Sequence, residues 1–237
     1  MDELIISSIV MLAAIAQSFT GFGFSLVAIA LLPSVISIKL AVPFVALFSA
    51  ISNGTLWFYH RHHFDHIVVL QLSIAAIMAM PLGIVVLHYI SDKTALQSLG
   101  ILLISYVIYN YFHFKLPNLK SPQWVYIFGG LSGFLTGAYN TGGPPAVIYG
   151  TCKHWTPEEF KGNLPCFFLI SSTVAIAGHA FQGNLSVTIW TLALVSIPGF
   201  LLGLAIGTLI SNHLKPSLFK HVVLGLLLLM GLRLISR

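Results

Sequence analysis

Charge is what this sequence has least of. Only 7% of its 237 residues are Asp, Glu, Lys or Arg, against about 25% in an ordinary soluble domain. Hydrophobic residues make up 57%, more than a soluble fold of this length can hide, so the implied solvent is lipid. The eleven basic residues outnumber six acidic ones, but they are scattered singly, with no basic run and no patch interleaved with aromatics. That pattern excludes a nucleic-acid surface and suits charges that set topology at membrane edges. Cysteine is nearly missing as well. Cys152 and Cys166 form no CxxC pair and no metal spacing, so they read as small apolar packing residues, and no metal or cofactor is expected.

Acidic groups for chemistry inside the membrane are also lacking. Asp2, Glu3, Asp65, Asp92, Glu158 and Glu159 all fall at expected helix ends or loops. The one acidic pair, Glu158-Glu159, follows Pro157 in what reads as a loop. With no helical HExxH and no serine elbow, an intramembrane enzyme would be without its working groups. A non-transporting scaffold or assembly subunit is the other alternative. Met1-Asp2-Glu3 offers neither a basic leader nor a small-residue cleavage site, so the first apolar stretch reads as a retained helix.

What is present is a set of long charge-free intervals. Placing a charge at the centre of a spanning helix costs about 2.5–3.5 kcal/mol, so the charges mark where the chain leaves the bilayer. One span each fits between Lys39 and Arg61, between Asp65 and Asp92, and between Lys93 and Lys115. Two fit between Lys161 and Lys215, joined at Gln182-Gly183-Asn184, and a last helix runs from about Phe219 to Ile235. Trp57, Trp124, Trp155 and Trp190 lie near expected ends, as an interfacial belt requires. His60, His62, His63 and His66 gather around Arg61 and Asp65 and read as a solvated, interface-anchoring loop.

Two intervals, Glu3 to Lys39 and Lys120 to Lys153, are too long for one span and too short for two. Thr20-Gly21-Phe22-Gly23-Phe24 interrupts the first, and Tyr139-Asn140-Thr141-Gly142-Gly143-Pro144-Pro145 the second. Glycine and proline there free backbone groups that lipid cannot satisfy, so such breaks survive only against protein or a water-filled cavity. Re-entrant hairpins or discontinuous helices are expected. The breaks also align with each other, as Lys39-Leu40-Ala41-Val42-Pro43 aligns with Lys161-Gly162-Asn163-Leu164-Pro165, Ser49 with Ser171, Lys93 with Lys215, and Pro81 with Pro198.

The expected fold is therefore an all-α integral membrane protein of two repeats, each a broken segment followed by three transmembrane helices. Residues 1–114 form the first repeat, 115–122 a linker and 123–237 the second, within one integrated domain. Three crossings per half would invert one repeat against the other. One face would then carry Arg61, Lys115, Lys120, Lys153, Lys161, Lys215 and Lys220, and the other Lys39, Lys93, Arg233 and Arg237. The first face would be cytoplasmic.

Broken helices in inverted repeats can build a transport site at the bilayer midplane. A helix end turned towards a cavity presents free N–H groups and a positive dipole, which suits an anion without a buried basic side chain. The candidate binding residues are Gln17, Ser18, Thr20, Gly21, Phe22, Gly23 and Phe24 at the first break. Tyr139, Asn140, Thr141, Gly142, Gly143 and Pro144 stand at the second, with Asn53 and His179 on other helices. The glycines would let a ligand approach the backbone, or would simply allow tight helix packing.

The segments Gln17-Ser-Phe-Thr-Gly-Phe-Gly-Phe-Ser-Leu and Gly137-Ala-Tyr-Asn-Thr-Gly-Gly-Pro-Pro-Ala-Val-Ile-Tyr149 resemble the two signature segments of the TauE/SafE family, and the resemblance spans nearly the whole chain. Asn140 stands where many members carry glycine. The resemblance implies a multi-pass protein of the cell (inner) membrane that exports sulfite or a small organosulfonate. Its partners would be that anion and the lipid bilayer, no nucleic acid, with a homo-oligomer left open.

Overall fold

The computed structural model of the chain describes residues 2–21, 23–61, 64–112, 119, 121–211 and 216–236, with the backbone alone at 20, 211 and 216–220. Phe22, His62, His63, His113, His213, Lys115, Lys120, Lys215, Arg237 and most of the 115–122 linker lie outside the described residues. The helices are α1 (Asp2–Thr20), α2 (Gly23–Leu31), α3 (Ile38–His60), α4 (His66–Tyr89), α5 (Asp92–Phe112), α6 (Trp124–Tyr139), α7 (Gly143–Cys152), α8 (Pro157–Phe181), α9 (Val187–Ser211) and α10 (Pro216–Ile235). A short 3-10 turn, Leu32–Ser34, follows α2. Among the described residues, six helices are long and apolar enough to cross a bilayer: α1, α3, α4, α5, α8 and α9. The helices after the breaks, α2 at 9 residues and α7 at 10, rise about 13–15 Å, half a hydrocarbon core of about 30 Å.

Every charged side chain described stands at or beyond a helix end, where water can reach it. Asp2 and Glu3 open α1, Asp92 opens α5, and Arg233 lies in the last turn of α10. Glu158 and Glu159 correct the loop expectation, because they form the first turn of α8. Pro157 starts that helix with a preset φ. Thr156 and Glu159 close a capping box, with Thr156 N–H donating to Glu159 Oε2 at 2.7 Å and Glu159 N–H to Thr156 Oγ1 at 3.3 Å.

The helices sort into two compact units that cut across the sequence halves. One comprises residues 1–45, 90–113 and 183–237, the other residues 46–89 and 114–182. In the first unit α1 packs along α9, α5 along α10, and α2 against α1. In the second, α4 packs along α6, α8 against α4, and α7 against α6 and α8.

Glycines at a spacing of four set both main contacts. On α6, Gly129, Gly133 and Gly137 meet the backbone of α4 at Leu72, Ala76 and Met80, and Gly83 of α4 meets Phe134 in return. On α9, Gly199, Gly203 and Gly207 meet α1 at Ser7, Met11 and Ser18. Both series rise together along the two helices, so α4 runs parallel to α6 and α1 parallel to α9. In lipid, where apolar surface gains little from pairing, such close backbone approach supplies the dispersion contacts that hold helices together. Helix α5 pairs differently. Gly100 abuts Gly231, with a Cβ there 2.7 Å from the Gly231 oxygen, while Gln97 Nε2 donates to Ile235 O at 3.4 Å. Contacts that run in opposite order make α5 and α10 antiparallel.

Helix ends meet within each unit. Lys39 Nζ lies 3.9 Å from Asp92, an exposed pair worth little by itself, and the Gln97–Ile235 bond brings the Arg233 end of α10 beside the start of α5. In the other unit Asp65 N–H donates to Asn163 Oδ1 at 2.7 Å, joining the turn after Arg61 to the start of α8.

The glycine contacts are testable. Gly133→Ala places a methyl group against the Ala76 backbone and should cost about 1–3 kcal/mol. Gly225→Ala, which meets nothing within 4 Å, should leave stability unchanged or raise it by up to about 1 kcal/mol. Thermal unfolding in detergent separates them, and equal behaviour would remove the glycine contact as the constraint.

Candidate functional site

Both expected breaks are present, and each is closed by its own neighbours. At the first, α1 ends at Thr20 and Gly21 takes a φ of +78°, a left-handed conformation that glycine adopts freely. Gly21 N–H still reaches Gln17 O at 2.7 Å. The buried Gln17 amide then spans the gap: its Nε2 donates to Gly21 O at 3.1 Å, and its Oε1 accepts from Phe24 N–H at 2.9 Å. One side chain thus satisfies a carbonyl before the break and a donor after it. Gln17 is expected from sequence as a ligand donor; in the fold its amide holds the break in shape. Ser18 Oγ donates back to Ala14 O at 3.1 Å and faces Gly207 of α9. The Phe24 ring packs edge-on against Phe200, 5.8 Å between centroids. A side chain at Gly21 would meet nothing within 4 Å, so the backbone there is open to approach. Phe22 and the Thr20 side chain lie outside the described residues.

At the second break Asn140 takes the left-handed conformation, φ 53° and ψ 32°, which asparagine tolerates better than most residues. That turn sends Asn140 N–H back to Thr136 O at 2.8 Å and Thr141 N–H to Leu135 O at 3.2 Å, ending α6 with the Thr136 and Leu135 carbonyls satisfied. Ser132 Oγ donates to Gly142 O, and Thr136 Oγ1 donates to Ser132 O at 2.8 Å. Gly142 is needed for space rather than for conformation. Its φ is −67°, while a Cβ there would strike Thr136 and Ser132. Ser132 and Thr136 were not among the residues expected at the site, although two hydroxyls one turn apart before a break are a readable sign of such bracing.

Helix α7 then starts at Gly143, with Pro144 and Pro145 in its first turn. Proline has no N–H, so of the first three helical residues only Gly143 can donate. Beside that start, Thr141 is 1% exposed and its Oγ1 has no hydrogen-bond partner. A buried hydroxyl left this way is costly unless something else meets it. Ser171 of α8, Ser52 of α3 and Ser73 of α4 are likewise buried with unpartnered hydroxyls in the same unit. Sequence reasoning left these three serines out of the site; their one signal is a hydroxyl deep within a charge-free span.

The remaining expected residues are all buried in this unit. Tyr139, Asn140, Gly142, Gly143 and Pro144 surround the break. Asn53 donates from Nδ2 to Ser49 O at 2.8 Å on α3, and His179 lies 1% exposed near the end of α8. Gln17, Ser18, Gly21, Gly23 and Phe24 belong to the other unit. Chemically, the second break offers a buried, charge-free setting with hydroxyl and amide donors and a helix dipole. It offers no nucleophile paired with a base.

The Gln17 clamp carries a prediction of its own. Gln17→Met keeps the volume but strands Gly21 O and Phe24 N–H, at about 1–3 kcal/mol for each group. Thermal unfolding in detergent should show that loss, and an unchanged midpoint would mean the break is held by other contacts.

Comparison with known proteins agrees with this architecture. The description of the family "Sulfite exporter TauE/SafE" matches residues 6–234. Over 227 residues the chain is 24% identical to a protein of Cupriavidus necator named probable sulfite/organosulfonate exporter TauE, covering 91% of this chain and 86% of that one. No solved structure matches significantly. With that match running through all ten helices and both breaks, the chain belongs to the sulfite exporter TauE/SafE family, whose members are membrane transporters and not enzymes.

Proposed function

We propose that this transporter exports sulfite or a small organosulfonate by alternating access, with the second helix break contributing to its site. The observation that carries the reading is the second break. There, a helix N-terminus, an unpartnered buried hydroxyl on Thr141 and the Gly143 N–H lie together in a charge-free segment. Such a group can hold an anion through dipoles and hydrogen bonds.

Two features support an inverted repeat as the frame for this motion. Under the sequence alignment of the halves, α1 corresponds to α6 and α9 to α4, and these elements form the two glycine-lined parallel pairs. Helices α5 and α10 correspond to each other and pack antiparallel, as counterparts related by an axis in the membrane plane would. Repeats of 1–114 and 123–237 account for both facts, although the packing units exchange helices between them.

Direction follows from electrostatics. A negative interior drives an anion outward by about 2.3 kcal/mol per charge per 100 mV, so export needs no coupling ion. Among the described residues no Asp or Glu is buried to relay protons or bind sodium. The face with more basic residues, at Arg61, Lys153 and Lys161 among others, would lie in the cytoplasm.

The test is sulfite efflux from proteoliposomes. Purified protein should speed efflux above the protein-free rate, and a rate equal to protein-free vesicles for sulfite and sulfonates alike would overturn the reading. Thr141→Val should lower apparent affinity about tenfold, the loss of roughly 1.4 kcal/mol of hydrogen bonding to an anion. Thermal stability should hold or rise, because the hydroxyl has no partner within the protein to lose. Unchanged affinity in that variant would remove Thr141 from the site.

A further inference from the structure

We infer that Trp57 and Asn163 form an entry site for the anion, set between the basic face and the second break. The inference rests on the export reading above and adds the step before the cargo reaches Thr141.

Contacts within the second unit define the route. The Phe128 ring, one turn into α6, lies 6.0 Å from that of Tyr149 in the last turn of α7. Lys153, just past α7, donates from Nζ to Leu119 O at 3.0 Å, ahead of α6. Helix α7 therefore returns to the side on which α6 begins, and the break is the tip of a hairpin about 15 Å deep along α7. The rings of Trp155 and Phe160 continue from Tyr149 to the first turn of α8, and Asp65 N–H bonds Asn163 in the next turn. The turn after α3, the base of the hairpin and the start of α8 thus share one face, which carries Arg61, Lys153 and Lys161.

Two buried nitrogens beneath that face can only donate. Asn163 is 1% exposed, and its Oδ1 takes the Asp65 N–H at 2.7 Å, which fixes the amide. Its Nδ2 has no hydrogen-bond partner within the protein. Trp57, in the last turn of α3, buries its Nε1 in the same way. The Trp57 ring lies 6.2 Å from that of Phe64, the neighbour of Asp65, so both donors converge on one turn. Buried donors of this kind are costly unless an acceptor meets them. Deeper in the unit, Ser52 of α3, Thr141 at the hairpin tip and Ser171 of α8 are buried with unpartnered hydroxyls. The unpartnered groups thus run in order of depth from the basic face to the break. A sulfur oxyanion presents acceptor oxygens to such a series, and exposed Arg61 and Lys161 raise its concentration at the mouth. The Asp65 carboxylate is turned to the start of α4, accepting from Ile67 and Val68 N–H at 2.9 and 3.1 Å.

Two substitutions remove the donors without removing the packing. Trp57→Phe keeps a ring against Phe64 and loses only the N–H. Asn163→Asp keeps an acceptor for Asp65 N–H and puts an oxygen where Nδ2 stood. Sulfite would be offered from each face in turn, in membrane vesicles of known orientation. From the Lys161 face, the half-saturating concentration should rise about threefold in Trp57→Phe and about tenfold in Asn163→Asp. From the opposite face it should keep the unaltered value. The unfolding midpoint of Trp57→Phe should hold, because no bond within the protein is lost. An unchanged half-saturating concentration in either folded variant would mean that water alone meets these donors, and overturns the entry site. An equal rise from both faces also overturns it, because the defect would then lie in the shared transport site. If Asn163→Asp does not fold, Trp57→Phe alone decides. Flux of no sulfur anion through the unaltered protein would instead overturn the export reading itself.

Discussion

A backbone polar group inside a bilayer has no water to turn to, and the rest of this structure follows from that. Straight helices meet the condition automatically; a broken helix does not. The chain interrupts two helices and resolves each interruption with side chains of the preceding helix. Gln17 bridges from Gly21 O to Phe24 N–H across the first break. Ser132 and Thr136 brace the second. Each device works at short range, so each break is a rigid local structure rather than a loose loop.

Packing carries that rigidity outward. The glycine contacts run right up to the breaks, with Gly207 against Ser18 three residues before Gly21, and Gly137 against Met80 three residues before Asn140. Backbone lying directly on backbone leaves no side-chain rotamers to absorb a shift. The two pairs divide the work differently. In α4 with α6 the glycine series lies on the broken helix, whereas in α1 with α9 it lies on the partner. The same close contact is thus reached from opposite sides in the two packing units.

Much of this was legible from sequence because lipid punishes charge so heavily. Positions of Lys, Arg, Asp and Glu alone mark the spans, and the described charges all stand at helix ends. Both breaks were readable from glycine and proline in intervals of awkward length. Other features depend on three-dimensional neighbours. Gln17 carries an amide that suits an anion, and nothing local reveals that its reach to Gly21 and Phe24 is already filled. Gly142 looks like room for a ligand until Ser132 and Thr136 occupy that room. The spacing of Gly129, Gly133 and Gly137 announces a close contact, but the partner helix is not written in the chain. Glu158 and Glu159 read as loop because Pro157 precedes them, although proline belongs equally to the first turn of a helix.

The two prolines at the start of α7 bear on speed. A carrier must let its cargo go in every cycle, and its rate falls as residence time lengthens. Pro144 and Pro145 keep the backbone at that helix start from gripping. At the same time their rings fix its direction before anything arrives, so little ordering remains to be done on arrival. Weak hold with little rearrangement favours fast exchange over storage, which suits a transporter.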